Sequence, residues 1–343
     1  MILVTGGAGF IGSNFIQHWL RHTHEPVINL DALTYAGSRA NLDGLCAPER
    51  HRFVQGSIAD SALLDELLQR HQPRAVLHLA AQTHVDRSID DPAVFFETNV
   101  LGTQRLLDAV RSYWQRLPAA AARQFRFVQV STDEVYGSLT PTARAALPSD
   151  RLNPSSPYAA SKAAADHCVQ AYRQTWGLPT VIVRCGNNYG PRQYPEKLVP
   201  VVILRHALGG TIPIYGHGRQ RRDWVHVDDH CAALRRVLAH GMPGQIYHVA
   251  SGQSPDNLTL VHQICQIVNA LAARATAARI EHVADRPGHD QRYALDTTHT
   301  CATLGWQPRW QLEAGLRQTV AWYLRQPPLS GAHAIVPSGG REV

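Results

Sequence analysis

Near the start of the chain an apolar run, Ile2-Leu3-Val4, passes directly into Gly6-Gly7-Ala8-Gly9-Phe10-Ile11-Gly12. A helical pattern carried by Phe15, Ile16, Trp19 and Leu20 follows. Glycines at these spacings allow a tight turn and let the backbone approach a pyrophosphate, which sits on the helix N-terminus. A second apolar run, Val27-Ile28-Asn29-Leu30, ends in Asp31, nineteen residues after Gly12. That is near the spacing at which a carboxylate meets a ribose hydroxyl. An acid there repels a 2′-phosphate, so the pattern predicts NAD rather than NADP. A glycine turn alone is weak evidence. Between a strand and a helix, with a second strand ending in an acid, it indicates a dinucleotide-binding unit.

The alternation of strands and helices continues. Residues 52–57 read as a third strand and 75–81 as a fourth, with a leucine-rich acidic helix between them. Residues 92–114 read as one long helix, 127–130 as a fifth strand that delivers Ser131 to Glu134, and 181–184 as a sixth. This predicts the α/β class: a Rossmann-type doubly wound parallel sheet with a smaller C-terminal α/β substrate-binding lobe. Ligands in such sheets bind outside the carboxyl ends of the strands, where Gly6, Asp31, Ala81, Thr132 and Asn187 fall. We expect 1–186 to form the NAD-binding domain, with segments at about 224–251 returning to it. Residues 187–328 are expected to form the second lobe, not strictly contiguous, and 329–343 a flexible tail.

The chemistry is concentrated in two places. Ser131-Thr132-Asp133-Glu134 puts a hydroxyl and two adjacent carboxylates at the end of an apolar run. Tyr158 and Lys162 lie four apart, on one face of a helix whose first turn holds Pro157. A free tyrosine has a pKa of about 10 and is a poor base at neutral pH. A neighbouring cation favours the phenolate. The Tyr-Lys pair alone occurs by chance on many amphipathic helices, and a lone acid pair is more often a solvated loop. Beside a dinucleotide site, the two together suggest redox chemistry at a sugar or alcohol carbon, coupled to an elimination.

The 343 residues suffice for two lobes, and no apolar run is long enough to span a membrane. The opening strand runs straight into the glycine turn, so no secretory signal is expected. The six cysteines make no CxxC pair, and neither they nor the nineteen histidines suggest a metal site. Reduced thiols in the cytoplasm are the expectation. The formal charge of +6 is compatible with an anionic ligand. Arg219-Gln220-Arg221-Arg222 is too short a basic run to predict nucleic-acid binding. Arg219, Gln220 and Arg221 are expected at the surface.

With these residues in view, the chain resembles the extended short-chain dehydrogenases/reductases and, within them, the nucleotide-diphosphate-sugar 4,6-dehydratases. The resemblance runs from Met1 to about Leu324. Its motifs are Thr5 to Gly12, Asp31-Ala32-Leu33-Thr34-Tyr35-Ala36-Gly37, His84-Val85-Asp86-Arg87-Ser88-Ile89 and Ser131 to Gly137. Further on come Ser156 to Lys162, Asn187-Asn188-Tyr189-Gly190-Pro191, Pro195-Glu196-Lys197-Leu198, Arg222-Asp223-Trp224 and Asp285-Arg286-Pro287-Gly288-His289-Asp290.

The resemblance implies an NAD/NADH redox cycle on dTDP-glucose, with UDP- or CDP-glucose as alternative substrates, and a homodimer joined through the helices after Pro92 and Pro157. It implies Tyr158 as the base at the C4 hydroxyl, Lys162 as its partner and ribose ligand, and Thr132 as the group orienting the reacting oxygen. Glu134 would take the C5 proton and Asp133 would protonate the departing 6-hydroxyl. Implied at the cofactor are Gly6, Gly9, Phe10, Ile11, Gly12, Asp31, Leu33, Thr34, Ser57, Ile58, Ala80, Ala81, Thr83, Thr98 and Asn188, besides Tyr158 and Lys162. Implied at the substrate are Thr83, His84, Asn187, Lys197, Leu198, Pro213, Tyr215, Arg222, Asn257, Arg286 and His289, besides Thr132, Asp133 and Glu134.

Three positions depart from the family pattern. Ser57 stands where an Asp is usual, Gln82-Thr83 where Glu-Ser is common, and Ser38 where Asn is usual. Ser57 predicts looser NAD retention. A 4-epimerase or decarboxylase would share the glycine turn, Tyr158 and Lys162 but would not need two acids after Thr132. A non-catalytic dinucleotide sensor would be expected to lack Tyr158 or Lys162.

Overall fold

A computed structural model describes residues 1–273 and 275–326. Its strands are β1 (Ile2–Thr5), β2 (Val27–Asp31), β3 (His51–Gln55), β4 (Ala75–His78), β5 (Arg126–Thr132), β6 (Thr180–Cys185), β7 (Asn187–Tyr189), β8 (Ile212–Tyr215), β9 (Trp224–His226), β10 (Ile246–Val249) and β11 (Ile280–Val283). Seven form one sheet in the order β10-β6-β5-β4-β1-β2-β3, every neighbouring pair parallel. The order 3-2-1-4-5-6 is that of the doubly wound dinucleotide fold, with β10 added at the far edge.

A parallel sheet is covered on both faces, so its strands read as nearly continuous apolar runs. Side chains alternate between two cores. Ile2, Val4, Leu77, Val128 and Val130 enter one with Phe15 and Ile16 of helix Phe10–His22 and Leu234 of helix Val227–His240. Leu3, Ile28, Val76 and Phe127 enter the other with Leu107 and Val110 of helix Thr103–Trp114 and Val169 of helix Pro157–Trp176. The last helix has clear sequence causes. Ser156 accepts from the Ala159 N–H, Pro157 occupies the first turn, and Gly177 ends it in the left-handed region at φ 76°.

A third core joins Val202 and Ile203 of helix Leu198–Ala207, Leu260 and Ile264 of helix Asn257–Leu271, and Leu316 and Val320 of helix Leu312–Arg325. They pack on Ile212 and Ile214 of β8. Here β8 pairs with β11, and β7 with β9. Strand β11 went unread in the sequence because Ile280-Glu281-His282-Val283 leaves its middle exposed.

Three readings change. The expected single helix over 92–114 is interrupted at Glu97–Gly102 by a π-helical stretch. Asn99 lies in it and is pulled inward, its amide bonding the backbone N–H and C=O of Gln82 and the Ser161 hydroxyl. The fourth strand stops at His78, so Leu79 to Thr83 are free to line the cleft. The fifth is longer than 127–130, running from Arg126 to Thr132, whose hydroxyl accepts from the Glu134 N–H and opens a 3₁₀ turn, Asp133–Tyr136. The expected tail, 329–343, lies outside the described residues.

Candidate active site

At the carboxyl ends of β1, β2, β4 and β5 the chain leaves one continuous cleft. Its floor fits a dinucleotide backbone. Gly6 has φ 74°, and a Cβ there would lie 2.6 Å from the Ala80 nitrogen; one on Gly12 would lie 2.2 Å from the Gly6 oxygen. Side chains at either position would collide with backbone, so glycine is what allows the tight turn and the close packing of the helix that follows it. Asp31 is fixed by two backbone donors, Ala8 N–H to Oδ2 and Leu33 N–H to Oδ1, both at 2.8 Å. Leu33 takes φ 52° to make the second contact. Every residue implied at the cofactor lines this cleft except Leu33, which acts through Asp31. Ser57 lies at the exposed rim, its hydroxyl accepting from the Ala59 N–H at 3.1 Å.

Thr132, Asp133, Glu134, Tyr158 and Lys162 line the same cleft. Asp133 is buried; its Oδ1 accepts from the Thr132 hydroxyl at 3.2 Å and its Oδ2 is buried without a partner. Burial first, and the Glu134 charge second, hold its carboxyl well above the usual range. Burial also raises Glu134, but Arg286, Arg222 and Lys197 oppose the rise. The two acids are therefore unequal: Asp133 is the better proton holder and Glu134 the better base.

Tyr158 differs from the sequence reading. Burial, then the negative charge of Glu134, pushes its phenol up rather than down. The Lys162 ammonium donates to the Val130 carbonyl at 2.8 Å, and burial lowers its pKa while Asp166 opposes that. Burial and the neighbouring acids together disfavour the phenolate, and a positive group brought into the cleft opposes them.

The residues implied at the substrate fall into two sets. Thr83, Asn187 and Lys197 line the cleft, with the Lys197 ammonium on the Thr83 carbonyl at 2.8 Å. His84, Leu198, Pro213, Tyr215, Arg222, Asn257, Arg286 and His289 lie outside its lining. Arg222 and Arg286 still act on Glu134 electrostatically. Arg222 is buried, stacks over Tyr293 at 4.3 Å and donates to the Asp290 carbonyl at 2.7 Å. Of its neighbours, Arg219 and Arg221 are exposed, but Gln220 is buried. The expectation of a surface position fails for Gln220 because its amide bonds Asp285 and His289. Asn257 begins helix Asn257–Leu271, with its Oδ1 buried and unpartnered.

Several cleft or near-cleft residues were given no role in the sequence reading, among them Glu196, Tyr293 and Cys185. Glu196 lines the cleft with a buried carboxylate that accepts from the Tyr35 hydroxyl at 3.0 Å and lies 3.8 Å from His84. It stands in the quoted Pro195 to Leu198 motif but was given no role. Tyr293 bonds Asp290 beneath Arg222, and nothing local in the sequence marked it. Cys185 lines the cleft and donates to the Ser131 carbonyl. All six cysteines are free thiols; Cys185, Cys231 and Cys265 are buried and Cys46 is exposed.

A family model described as GDP-mannose 4,6 dehydratase matches residues 3–319. The chain belongs to this sugar-nucleotide 4,6-dehydratase family. It is 46% identical over 333 residues to dTDP-glucose 4,6-dehydratase of Salmonella typhimurium, covering 94% of this chain and 92% of that one. It is 48% identical over 326 residues to the enzyme of that name from Xanthomonas campestris pv. campestris, with the same coverage. Among solved structures, dTDP-glucose 4,6-dehydratase of Streptomyces venezuelae with NAD bound superposes with a TM-score of 0.85 at 45% identity, covering 94% of this chain and 96% of that one. A UDP-glucose 4-epimerase of Thermotoga maritima superposes at 0.82 with 28% identity, covering 94% and 98%. The fold is thus common to both activities. No helix among the described residues is long and apolar enough to cross a membrane.

Proposed function

We propose that the protein dehydrates dTDP-D-glucose to dTDP-4-keto-6-deoxy-D-glucose with NAD as a recycled cofactor. The observation that carries this reading is the unequal acid pair on the turn after β5, in the same cleft as Tyr158 and Lys162. NAD held on Gly6, Gly9, Gly12 and Asp31 would supply a positive nicotinamide that favours the phenolate and would act as the hydride carrier between C4 and C6. Tyr158 takes the proton of the C4 hydroxyl, and Thr132 orients that oxygen. Lys162, tethered to Val130, holds a positive charge at the ribose side. The 4-ketone acidifies the C5 hydrogen. Glu134, whose rise on burial is opposed by Arg286, Arg222 and Lys197, removes it, and a proton returns to C5 when hydride reaches C6. Asp133, kept protonated by burial, gives its proton to the departing 6-hydroxyl. A 4-epimerase needs no such pair, so the acids favour elimination.

In this reading 1–186, with the returning segments at 224–251, carry the cofactor, and 187–328 carry the nucleotide diphosphate. The separate third core supports that division. Arg222 and Arg286 supply forked donors suited to phosphate oxygens. A homodimer belongs to the reading as well, supported by exposed Phe96, Leu101 and Trp176 near the helices after Pro92 and Pro157. A cytoplasmic site suits six unpaired thiols.

The test is product analysis with dTDP-, UDP- and CDP-glucose, using substrate deuterated at C4. The expected product from dTDP-glucose carries the deuterium at C6, within one molecule and without stoichiometric NAD consumption. Loss of the label to solvent would rule out the internal cycle.

A further inference from the structure

Behind the acid turn runs a buried chain of polar side chains that the steps above do not use. Ser131 Oγ donates to Asp166 Oδ2 at 3.0 Å, and that oxygen also accepts from Arg184 Nε at 2.9 Å. Arg184 Nη1 donates to the Tyr136 hydroxyl at 2.6 Å. The hydroxyl lies 2.6 Å from His248 Nε2, and His248 Nδ1 lies 3.0 Å from the Asp296 carbonyl. A carbonyl only accepts, so Nδ1 carries the proton, Nε2 accepts, and Tyr136 donates to it. Burial keeps His248 neutral, with its pKa lowered to about 4. Asp166, Arg184 and His248 are fully buried. A buried ion pair is weak evidence of stabilisation, since an apolar pair of similar shape often does as well. Its place in the fold is more informative.

Each link ends on an element that carries the chemistry. Ser131 precedes Thr132 on β5. Asp166 lies one turn beyond Lys162 on helix Pro157–Trp176. Tyr136 closes the 3₁₀ turn of Asp133 and Glu134. Asp296 lies three residues after Tyr293, the residue under Arg222. The two functional pairs are not anchored alike. Lys162 has its own tether on Val130, and the Tyr158 N–H bonds Ser88 Oγ at 3.2 Å. The acid turn is tied to β6 and β10 through the Tyr136 hydroxyl, by Arg184 and His248.

We propose that Tyr136, Arg184 and Asp166 are positioning residues that set the acid pair against the Tyr158–Lys162 pair, and that the Tyr136 hydroxyl governs elimination rather than oxidation. The inference rests on the dehydratase reading. A misplacement of about 1 Å can cost 10²-fold in rate. Releasing the turn while sparing Tyr158 therefore slows the second half of the reaction selectively.

The test is Tyr136→Phe, which keeps the ring and removes the hydroxyl, in the full chain with NAD and dTDP-glucose. We expect unchanged KM, kcat reduced by roughly 10- to 100-fold, and a larger share of enzyme carrying reduced nicotinamide during turnover. His248→Leu, which removes the acceptor at the far end, should shift that share the same way, and His248→Gln, which restores an acceptor, should bring it back. These two carry the test if Tyr136→Phe does not fold. An unchanged or smaller share of reduced nicotinamide in Tyr136→Phe and His248→Leu, at whatever kcat, overturns the proposal, because general damage slows oxidation too. If wild-type protein makes neither reduced nicotinamide nor 4-keto product, the dehydratase reading fails first and takes the proposal with it.

Discussion

Arg286 Nη1 lies 3.1 Å from Asp86 Oδ1, while the Tyr215 hydroxyl donates to the other oxygen of the same carboxylate at 2.8 Å. Asp86 belongs to helix Val85–Asp90, beside His84, whereas Arg286 and Tyr215 come from the second lobe. The carboxylate thus occupies two groups assigned to the nucleotide diphosphate. A phosphate must share or displace it. The pair is part-exposed, and such pairs contribute about 0.2–1 kcal/mol. Asp86→Asn should therefore tighten dTDP roughly two- to fivefold, with kcat unchanged. Calorimetric titration of dTDP into both proteins checks this. Weaker binding by the variant would show that Asp86 orients Arg286 rather than competing for it.

The acid pair predicts two different failures. Glu134→Gln should lower turnover by roughly 10²–10⁴-fold. C4 oxidation uses Tyr158 rather than Glu134 as its base, so reduced nicotinamide should accumulate on the enzyme. Tyr158→Phe should lose turnover by a similar factor with no reduced nicotinamide, since the first proton has no acceptor. Rapid-scanning absorbance on mixing with dTDP-glucose separates them. Near-normal turnover in Glu134→Gln would remove it as the C5 base.

The same acids set a pH dependence. A raised carboxyl pKa means the ionised form is disfavoured, so Glu134 loses its proton only above the ordinary value of about 4.3. The acidic limb of kcat should lie above that value, and the alkaline limb should report loss of the Asp133 proton. The two limbs belong to the pair rather than to either residue. Removing a cation raises a carboxyl pKa, so Arg286→Leu should move the acidic limb upward at saturating substrate. Stability follows the same sign. A carboxyl raised on folding contributes fully below its unfolded pKa, and that contribution is lost as pH rises through the folded value. Asp133→Asn should consequently raise Tm at neutral pH while stopping elimination. A lower Tm would mean that the Thr132–Asp133 bond outweighs the buried charge.

What was legible in the sequence was what local pattern dictates. The glycine turn, Asp31 and the apolar runs of β1 to β6 lie within short windows, and each carries its own physical cause. The helix of Tyr158 was readable from Pro157 and the spacing to Lys162. What was not legible depends on residues far apart in the chain. Nothing near residue 99 announces that Asn99 will bond Gln82 and Ser161 and open a π-helical stretch. Gln220 sits in a basic run and becomes buried only because Asp285 and His289 meet it. The rise of the Tyr158 pKa follows from its neighbours in space, whereas sequence spacing gave only Lys162.

Ser57 gives the last prediction. At the cleft rim its short side chain accepts from the Ala59 N–H, so its hydroxyl oxygen already serves the local turn. An ionised Asp at this position would accept from an adenine amino group through a charge-assisted bond, worth about 1.5–3 kcal/mol against 0.5–1.5 for a neutral partner. Ser57 is exposed, which screens the difference towards the low end and leaves room for a bridging water. The protein should therefore lose part of its NAD on purification and gain activity when NAD is added. Ser57→Asp should tighten NAD by about 1 kcal/mol, or roughly fivefold, and leave the chemical step unchanged, because Tyr158 and Lys162 act at the other end of the cofactor. Titration of NAD into stripped wild-type and Ser57→Asp protein, followed by single-turnover rates at saturating NAD, decides it. Equal affinities would mean that residue 57 does not face the adenine.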